Sequence, residues 1–500
     1  MGFDYNKELQ RIDEVIAKGP YKDTWESLGE YEVPKWYKDI KFGIFIHWGV
    51  YAAAAYANEW YPRNMYIKDT DEYKHHIEVF GNHKEHGYKD YIPMLTGENF
   101  DADKWTDLFE KSGAEYFVPV AEHHDGFQMY KSKLSKWNAA EMVPKRDVIG
   151  ELRESADKKG LTFGTSSHRI EHWWFLANGR DFESDICGEF DREDMYWPSV
   201  KEPADQHDSF SEPYPTKEFM EDWLIRTCEI VDRFHPSVLY FDWWIHHIAV
   251  RPYLKKAAAY YYNEMERVGK TGVINYKHDE FLFGSAVPDM ERGQFSEAKP
   301  YPWQTDTSTC FNSWGYTVMN RYKEATDILC DLVDVVSKNG RMLLNIGPKP
   351  DGTVTDEETS ILLEIGKWLK VNGEAIYGSR LYKTFGEGPT KVVEGMFNDS
   401  DVKVFTSDDF RFTVNHGNIY AIAMRASDNG EYNITSFAQQ NADGSHKFMG
   451  NILKVQALGE DSEAEFKLDN TGLHIRSDYK PSQISDKLGN APLVFRLTIE

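Results

Sequence analysis

The run Pro236-Ser-Val-Leu-Tyr-Phe-Asp-Trp-Trp-Ile-His-His247 decides how the rest of the chain is read. From Ser237 to Phe241 it is apolar and aromatic, the composition of a strand buried on both faces of a parallel sheet. Asp242 ends that run, between Phe241 and Trp243. A carboxylate among large apolar side chains is costly unless it is paired or hydrogen-bonded. A single such Asp reads first as a turn cap or as the partner of an arginine. Three further expected strands also close on His-rich or carboxylate-rich clusters, and that repetition makes Asp242 a candidate nucleophile.

Upstream, Lys41-Phe-Gly-Ile-Phe-Ile46 reads as a buried strand ending in His47-Trp48-Gly49. Tyr116 to Val120 is the next, ending in Glu122-His-His-Asp-Gly126, and Leu161 to Thr165 ends in Ser166-Ser167-His168-Arg169. Downstream, Gly272 to Tyr276 runs into Lys277-His278-Asp279-Glu280, and Arg341 to Ile346 into Gly347-Pro348. Between the strands, apolar residues recur at helical spacing over residues 101–112, 147–159, 216–234, 253–268 and 321–337. Strands alternating with helices are βα units on a parallel sheet. At least six units in one stretch favour a (β/α)8 barrel. A doubly wound sheet competes, but no Gly-rich phosphate loop follows the first strand.

The first 35 residues read as a helix and a tether. The polar, aromatic segment 51–99 is too long for a plain connection and is expected to fold over the site. After Gly373-Glu-Ala-Ile-Tyr-Gly378 the pattern changes. Phe385-Gly-Glu-Gly-Pro389 reads as a linker, and short alternating strands follow, such as Phe410-Arg-Phe-Thr-Val414 and Tyr420-Ala-Ile-Ala-Met424. The last one places Leu493, Phe495, Leu497 and Ile499 on one face. The expected fold is α/β: a catalytic (β/α)8-like barrel with an N-terminal helix over residues 1–380, then an antiparallel β-sandwich over 390–500.

Against 57 Lys and Arg stand 82 Asp and Glu, a formal charge of −25, which argues against nucleic acid or an anionic membrane surface as partner. There is neither an 18-residue apolar run nor a charged leader followed by an apolar stretch. No membrane span and no secretion are therefore expected, and the cytoplasm is the expected compartment. Cys187, Cys228, Cys310 and Cys330 lack C-x-x-C spacing. Cys228 and Cys330 sit on apolar helix faces and read as buried free thiols. Aromatic residues make up 15% of the chain, many beside polar residues in loops. That mixture suits a sugar cleft, where ring faces stack on C–H surfaces and polar groups read hydroxyls.

The loops after barrel strands share one face, and His47, His123, His124, His168, Asp242 and Lys277 fall at or just past expected strand ends. Two chemistries compete for them. His168-Arg-Ile-Glu-His172 matches the H-x-x-E-H metal motif, which needs a helix to bring both histidines to one face and a further ligand downstream. The adjacent pair His123-His124 has poor ligand spacing for a strand, whose neighbours point to opposite faces. The other chemistry is glycoside hydrolysis. Asp242 would attack the anomeric carbon while Glu280, Glu291 or Glu297 protonates the leaving oxygen, the two carboxyls standing about 5–5.5 Å apart in a retaining enzyme. Met290 and Arg292 would push the acidity of Glu291 in opposite directions, so the local residues leave the three glutamates open.

Several blocks then fall in a telling order: Trp36-Tyr37, Lys41-Phe-Gly-Ile-Phe-Ile-His-Trp-Gly49, Asn58-Glu-Trp-Tyr61, Gly87-Tyr-Lys-Asp-Tyr91 and Glu122-His-His-Asp-Gly-Phe127. Lys145-Arg-Asp147, Tyr240-Phe-Asp-Trp243, Ser313-Trp-Gly-Tyr316 and Leu343-Leu-Asn-Ile-Gly-Pro348 follow. Over nearly its whole length the chain resembles the retaining α-L-fucosidases of glycoside hydrolase family 29. The resemblance implies a (β/α)8-like barrel with a C-terminal sandwich, no metal and no organic cofactor. It implies Asp242 as nucleophile and Glu291 as acid/base. It also implies fucose hydroxyls held by His47, Glu59, Trp60, His123 and His124, with Trp314 walling the sugar methyl. Three positions depart from the family pattern. Ser166-Ser167-His168 replaces a Tyr-Tyr-Ser, so His168 is expected to take over a tyrosine contact. Lys277 stands as the substitute for an arginine, and Trp303-Gln304 replaces Trp-Glu.

The implied activity is release of terminal α-L-fucose from fucosylated oligosaccharides or glycoconjugates through a covalent fucosyl-enzyme. The alternatives are the same mechanism on an α-L-galactoside, a metal-dependent barrel hydrolase, and a sugar-binding protein without catalysis. A lectin has no use for a buried attacking carboxylate beside a loop glutamate.

Overall fold

The computed structural model describes residues 3–399 and 403–500. Eight parallel strands form its first sheet: β1 (Phe42–Ile46), β2 (Tyr116–Glu122), β3 (Thr162–Ser167), β4 (Val238–Phe241), β5 (Val273–Tyr276), β6 (Val287–Pro288), β7 (Trp303–Ser308) and β8 (Gly340–Ile346). They pair in the order β6-β5-β4-β3-β2-β1-β8-β7. The ring closes between β6 and β7 through a parallel bridge of Asp289 with Gln304, whose carbonyl accepts from the Met290 N–H at 2.9 Å. The barrel expected from the sequence is present.

Successive strand residues point to opposite faces, and in this barrel that alternation sorts them cleanly. Phe42, Ile44 and Ile46 of β1, Phe117 and Ala121 of β2, Phe163 of β3, Leu239 and Phe241 of β4 and Ile274 and Tyr276 of β5 join the helices in one buried cluster outside the ring. Phe45, Tyr116, Val118, Val120, Val238, Tyr240, Val273, Val287 and Leu343 form a separate cluster, the barrel interior. Gly43 shares the inward register, and a Cβ there would come within 2.3 Å of the Tyr116 ring, so its lack of a side chain lets that ring fill the interior. Counting on in twos past the strand ends, the inward positions become His47, His168, Asp242, Lys277 and Glu291.

Helices over Ala102–Lys111, Val148–Lys159, Lys217–Phe234, Arg251–Arg267, Ala325–Ser337 and Asp356–Asn372 cover the outside. The side chains of Asp101, Asp147, Thr216 and Thr355 accept from free N–H groups at four of their N-termini. The helix expected over 321–337 begins only at Ala325, because Tyr322 is engaged in a bridge to Cys310. The sequence pattern does not announce β6, which is two residues long, or β7, whose Gln304–Ser308 stretch is polar although buried. Cys228 and Cys330 are buried free thiols, as expected, and no helix of the described residues is long and apolar enough to cross a membrane.

Beyond the barrel, β9 (Arg380–Glu387), β10 (Phe410–Asn415), β11 (Asn418–Ala423), β12 (Glu431–Ile434), β13 (Ile452–Ala457), β14 (Glu465–Leu468), β15 (Leu473–Arg476) and β16 (Leu493–Ile499) make two antiparallel sheets. Their orders are β13-β16-β11-β10-β9 and β12-β15-β14. Phe410, Phe412, Tyr432, Ile434, Phe437, Phe495 and Leu497 fill the space between them. Most of the Phe385–Pro389 stretch read as a linker belongs instead to β9, an edge strand in which Glu387 and Gly386 pair with Phe410 and Arg411. The glycines there serve an edge, where one side needs no partner. The true connection is the strap between β9 and β10, and it returns to the barrel mouth.

Candidate active site

Asp242 follows β4 and points into the barrel mouth, almost fully buried. Its Oδ1 accepts from the Lys277 ammonium at 2.6 Å. Its Oδ2 lies 3.0 Å from His168 Nδ1 and 3.3 Å from His124 Nε2. The same Lys277 Nζ donates to Glu291 Oε2, also at 2.6 Å, so one cation bridges the two carboxylates. Burial alone would raise the Asp242 carboxyl, but Lys277, His168 and His124 hold it well below the ordinary carboxylate range. Burial pushes Glu291 the other way, up to about 7, with Lys277 opposing and Asp306 and Asp242 adding to the rise. Two carboxyls on one ammonium are thus pushed in opposite directions.

The histidines divide by charge. Burial drives His47 and His123 far below the usual imidazole value and lowers His168, so all three are neutral. Burial acts on His124 too, but Glu171 and Asp242 outweigh it and raise the ring to about 10. His124 Nδ1 lies 3.0 Å from Glu171 Oε2 and equally close to the His168 carbonyl. Asn345 fixes the tautomer of His47. Its Nδ2 donates to the Trp314 carbonyl at 2.7 Å, so its Oδ1 is left to accept from His47 Nδ1, also at 2.7 Å. The lone pair of His47 Nε2 is thereby free for a hydroxyl. His168 has no such freedom, because Nδ1 serves Asp242 and Nε2 accepts from Ser166 Oγ at 2.9 Å.

Around these groups lies a cavity of about 450 Å³, within the range of small-molecule sites. All ten residues proposed from the sequence line it: His47, Glu59, Trp60, His123, His124, His168, Asp242, Lys277, Glu291 and Trp314. Glu59 Oε2 accepts from the Trp314 N–H at 2.9 Å, which ties the indole into the wall, and the Arg292 guanidinium packs 4.5 Å from the ring centroid. Of the rival glutamates, Glu280 turns away to accept from the Lys277 backbone N–H at 3.0 Å, and Glu297 is exposed outside the cavity. The H-x-x-E-H motif forms a short 3-10 turn over Arg169–Trp173 and not an α-helix. There His172 Nδ1 donates to the His124 carbonyl at 2.8 Å, so His168 and His172 do not converge. Among the described residues, the donor groups near enough to share an ion are His47, His123 and His168, and His124, His168 and Asp242. Both depend on His168, whose two ring nitrogens already have partners.

The cavity also takes in residues that strand-end reading passes over. Tyr240 and Asp306 share the inward register and are bonded at 2.8 Å, one step below Asp242. Counting in twos back along β4 from Asp242 reaches Tyr240, whereas Asp306 lies on β7, which has no apolar run to count from. Gln206 and His207 arrive from the long connection between β3 and the following helix, and Phe397 from the strap beyond the barrel. Of the segment 51–99 expected to fold over the site, Asn58, Glu59 and Trp60 line the cavity, and no residue of 66–99 does. A wider hollow of about 660 Å³ lies on the sandwich against β12, β14 and β15. Its carboxylates Asp408, Glu431 and Glu465 are exposed to solvent.

Comparison with known proteins points to one family. The sequence profile of the α-L-fucosidase family matches residues 8–374. An α-L-fucosidase of Dictyostelium discoideum is 29% identical over 440 residues, covering 83% of each chain. The human plasma α-L-fucosidase is 30% identical over 381 residues, covering 73% of each. The crystal structure of Thermotoga maritima α-fucosidase in complex with fucose superposes with a TM-score of 0.71 at 27% identity, over 96% of this chain and 100% of that one. With the matched profile spanning the entire barrel and the mouth that holds Asp242, the chain belongs to the α-L-fucosidase family.

Proposed function

We propose that the protein releases terminal α-L-fucose from oligosaccharides or glycoconjugates with retention of configuration, Asp242 acting as nucleophile and Glu291 as acid/base. The observation that carries this is the shared ammonium. Lys277 Nζ lies 2.6 Å from an oxygen of each carboxylate, so those two oxygens are at most twice that apart, about 5.2 Å. Retaining enzymes hold their two carboxyls about 5–5.5 Å apart, and inverting ones roughly 6.5–9.5 Å, to leave room for water.

The charges suit the first step. Ionised Asp242 attacks the anomeric carbon while protonated Glu291 gives its proton to the departing oxygen. Asp242 loses its negative charge as the ester bond forms, and Glu291 acquires one. Lys277 touches both, so its counter-charge passes from one to the other without moving. In the second step Glu291 takes a proton from water, whose oxygen attacks the same carbon and frees Asp242. Neutral His47, its Nδ1–H held by Asn345, offers the Nε2 lone pair to one hydroxyl of a vicinal diol, and the neutral ring of His123 can both donate and accept. Trp314 offers an apolar wall for the methyl group, and His168 orients Asp242.

Proton NMR of the first-formed anomer tests the assignment. α-L-Fucose should appear first from an aryl α-L-fucoside and equilibrate only later; early β-anomer would overturn the mechanism. A parallel panel of fucosylated oligosaccharides and α-L-galactosides reads the substrate class directly.

A further inference from the structure

We propose that Phe397, on the strap between β9 and β10, is the platform on which the first sugar of the leaving group stacks. The inference rests on the reading of Glu291 as the acid. An acid must reach the oxygen that departs, so the leaving group extends from the Glu291 side of the cavity. Phe397 is fastened to that side, its N–H donating to the Glu291 carbonyl at 2.9 Å. Its ring lines the same cavity and is 61% exposed, which places it at the rim, beyond the groups that surround the fucose.

The strap is built to hold it there. Asn398 and Asp399 donate their N–H groups to the Arg292 carbonyl at 2.8 and 3.0 Å, and Gly395 bridges Gln294 in antiparallel fashion. A Cβ on Gly293 would meet the Gly395 carbonyl at 1.8 Å, so a glycine is needed for the strap to lie this close. The Asp399 carboxylate accepts from Lys323 Nζ and Thr307 Oγ1 at 2.6 Å and from Arg292 Nη1 at 3.1 Å. Within this clamp Phe397 adopts a φ of 58°, which a non-glycine residue keeps only when its surroundings impose it. A single exposed Phe is ordinary. One held in left-handed backbone, hydrogen-bonded to the main chain of Glu291 and lining the cavity has the form of a ligand contact. Flat aromatic faces suit the C–H side of a hexose ring.

The test compares a substrate with a hexose leaving group, an α-L-fucosyl-hexose disaccharide, with α-L-fucosyl fluoride, which has no ring to stack. The quantity read is the ratio of kcat/KM on the disaccharide to that on the fluoride. Phe397→Ala should lower it about tenfold, the share of a half-covered aromatic ring, and Phe397→Trp should restore it. A ratio unchanged in Phe397→Ala, or an equal loss on both substrates, overturns the proposal while leaving the fucosidase reading intact. If the wild type hydrolyses neither substrate, the fucosidase reading fails, and this inference with it.

Discussion

At the scale of single residues, the site works by giving two chemically similar carboxyls different surroundings around one ammonium. Asp242→Ala removes the attacking oxygen and should lower kcat by at least about 10³-fold on an aryl fucoside. Added azide should restore turnover as β-fucosyl azide, since a small anion fits the space left by the carboxylate. Near wild-type turnover in that variant would place the nucleophile elsewhere. Glu291 gives a sign as well as a size. Its raised pKa of about 7 means that kcat/KM falls as pH rises through that value, because the acid form is the one that donates. Glu291→Ala should flatten this alkaline limb and cripple oligosaccharide hydrolysis, while a nitrophenol-type leaving group departs unaided and the slow second step shows as a burst. Glu280→Ala or Glu297→Ala behaving in this way, with Glu291→Ala behaving normally, would move the acid to that position.

At the scale of elements, β2, the turn after β3 and the helix Lys217–Phe234 are fixed by four buried charges. Arg169 donates to Glu122 at 2.7 Å and to Asp222 at 3.0 Å, and Arg226 donates to Asp222 at 2.8 Å and to Glu122 at 3.1 Å. The square is balanced, two cations on two anions, and burial makes each partner necessary. Asp222→Ala would leave two buried guanidiniums sharing one carboxylate, which should destabilise the fold by about 3–5 kcal/mol. Urea unfolding monitored by tryptophan fluorescence measures it, and a loss under about 1 kcal/mol would show that the network carries little stability. Arg169 directly follows His168, so a loosened network should also disturb the ring that orients Asp242.

At the scale of the whole molecule, the sandwich is bolted to the barrel through charge. Asp334, on the helix Ala325–Ser337, accepts from Lys338 Nζ at 2.7 Å and from Arg411 of β10. Burial would raise its carboxyl, but Arg411 and Lys338 lower it to about 2. A carboxylate with a depressed folded pKa stabilises the fold above its unfolded value and loses that contribution as pH falls. Asp334 should therefore contribute about 2 kcal/mol at neutral pH, lost progressively between about pH 5 and pH 2. Asp334→Ala should flatten the acid limb of stability against pH and expose the strap to limited proteolysis. An unchanged acid transition would show that the Asp334–Arg411 pair contributes little to holding the two units together.

The chain's local chemistry was sufficient for the barrel, the sandwich and most of the site. Apolar runs such as Val238–Phe241, short, rich in β-branched and aromatic residues and bounded by Pro236 and Asp242, favour a buried strand. A polar residue directly after such a run faces the mouth because side chains alternate, which is how His47, His168, Asp242 and Lys277 could be proposed from order alone. The helix Asp356–Asn372 carries a readable Thr355 cap and apolar spacing, whereas β6 and β7 have no apolar run to read. Tertiary structure decided what depends on distance between segments far apart in sequence. It placed one lysine between Asp242 and Glu291, put Glu291 and not Glu280 or Glu297 on the cavity, occupied both nitrogens of His168, and brought Phe397 to a cavity that Asp242, Lys277 and Glu291 line from more than a hundred residues earlier. The physical reason is that hydrophobic pattern is local and repeats with the backbone, so sequence carries it. Electrostatic pairing and close approach act across space, between groups whose separation no spacing along the chain encodes.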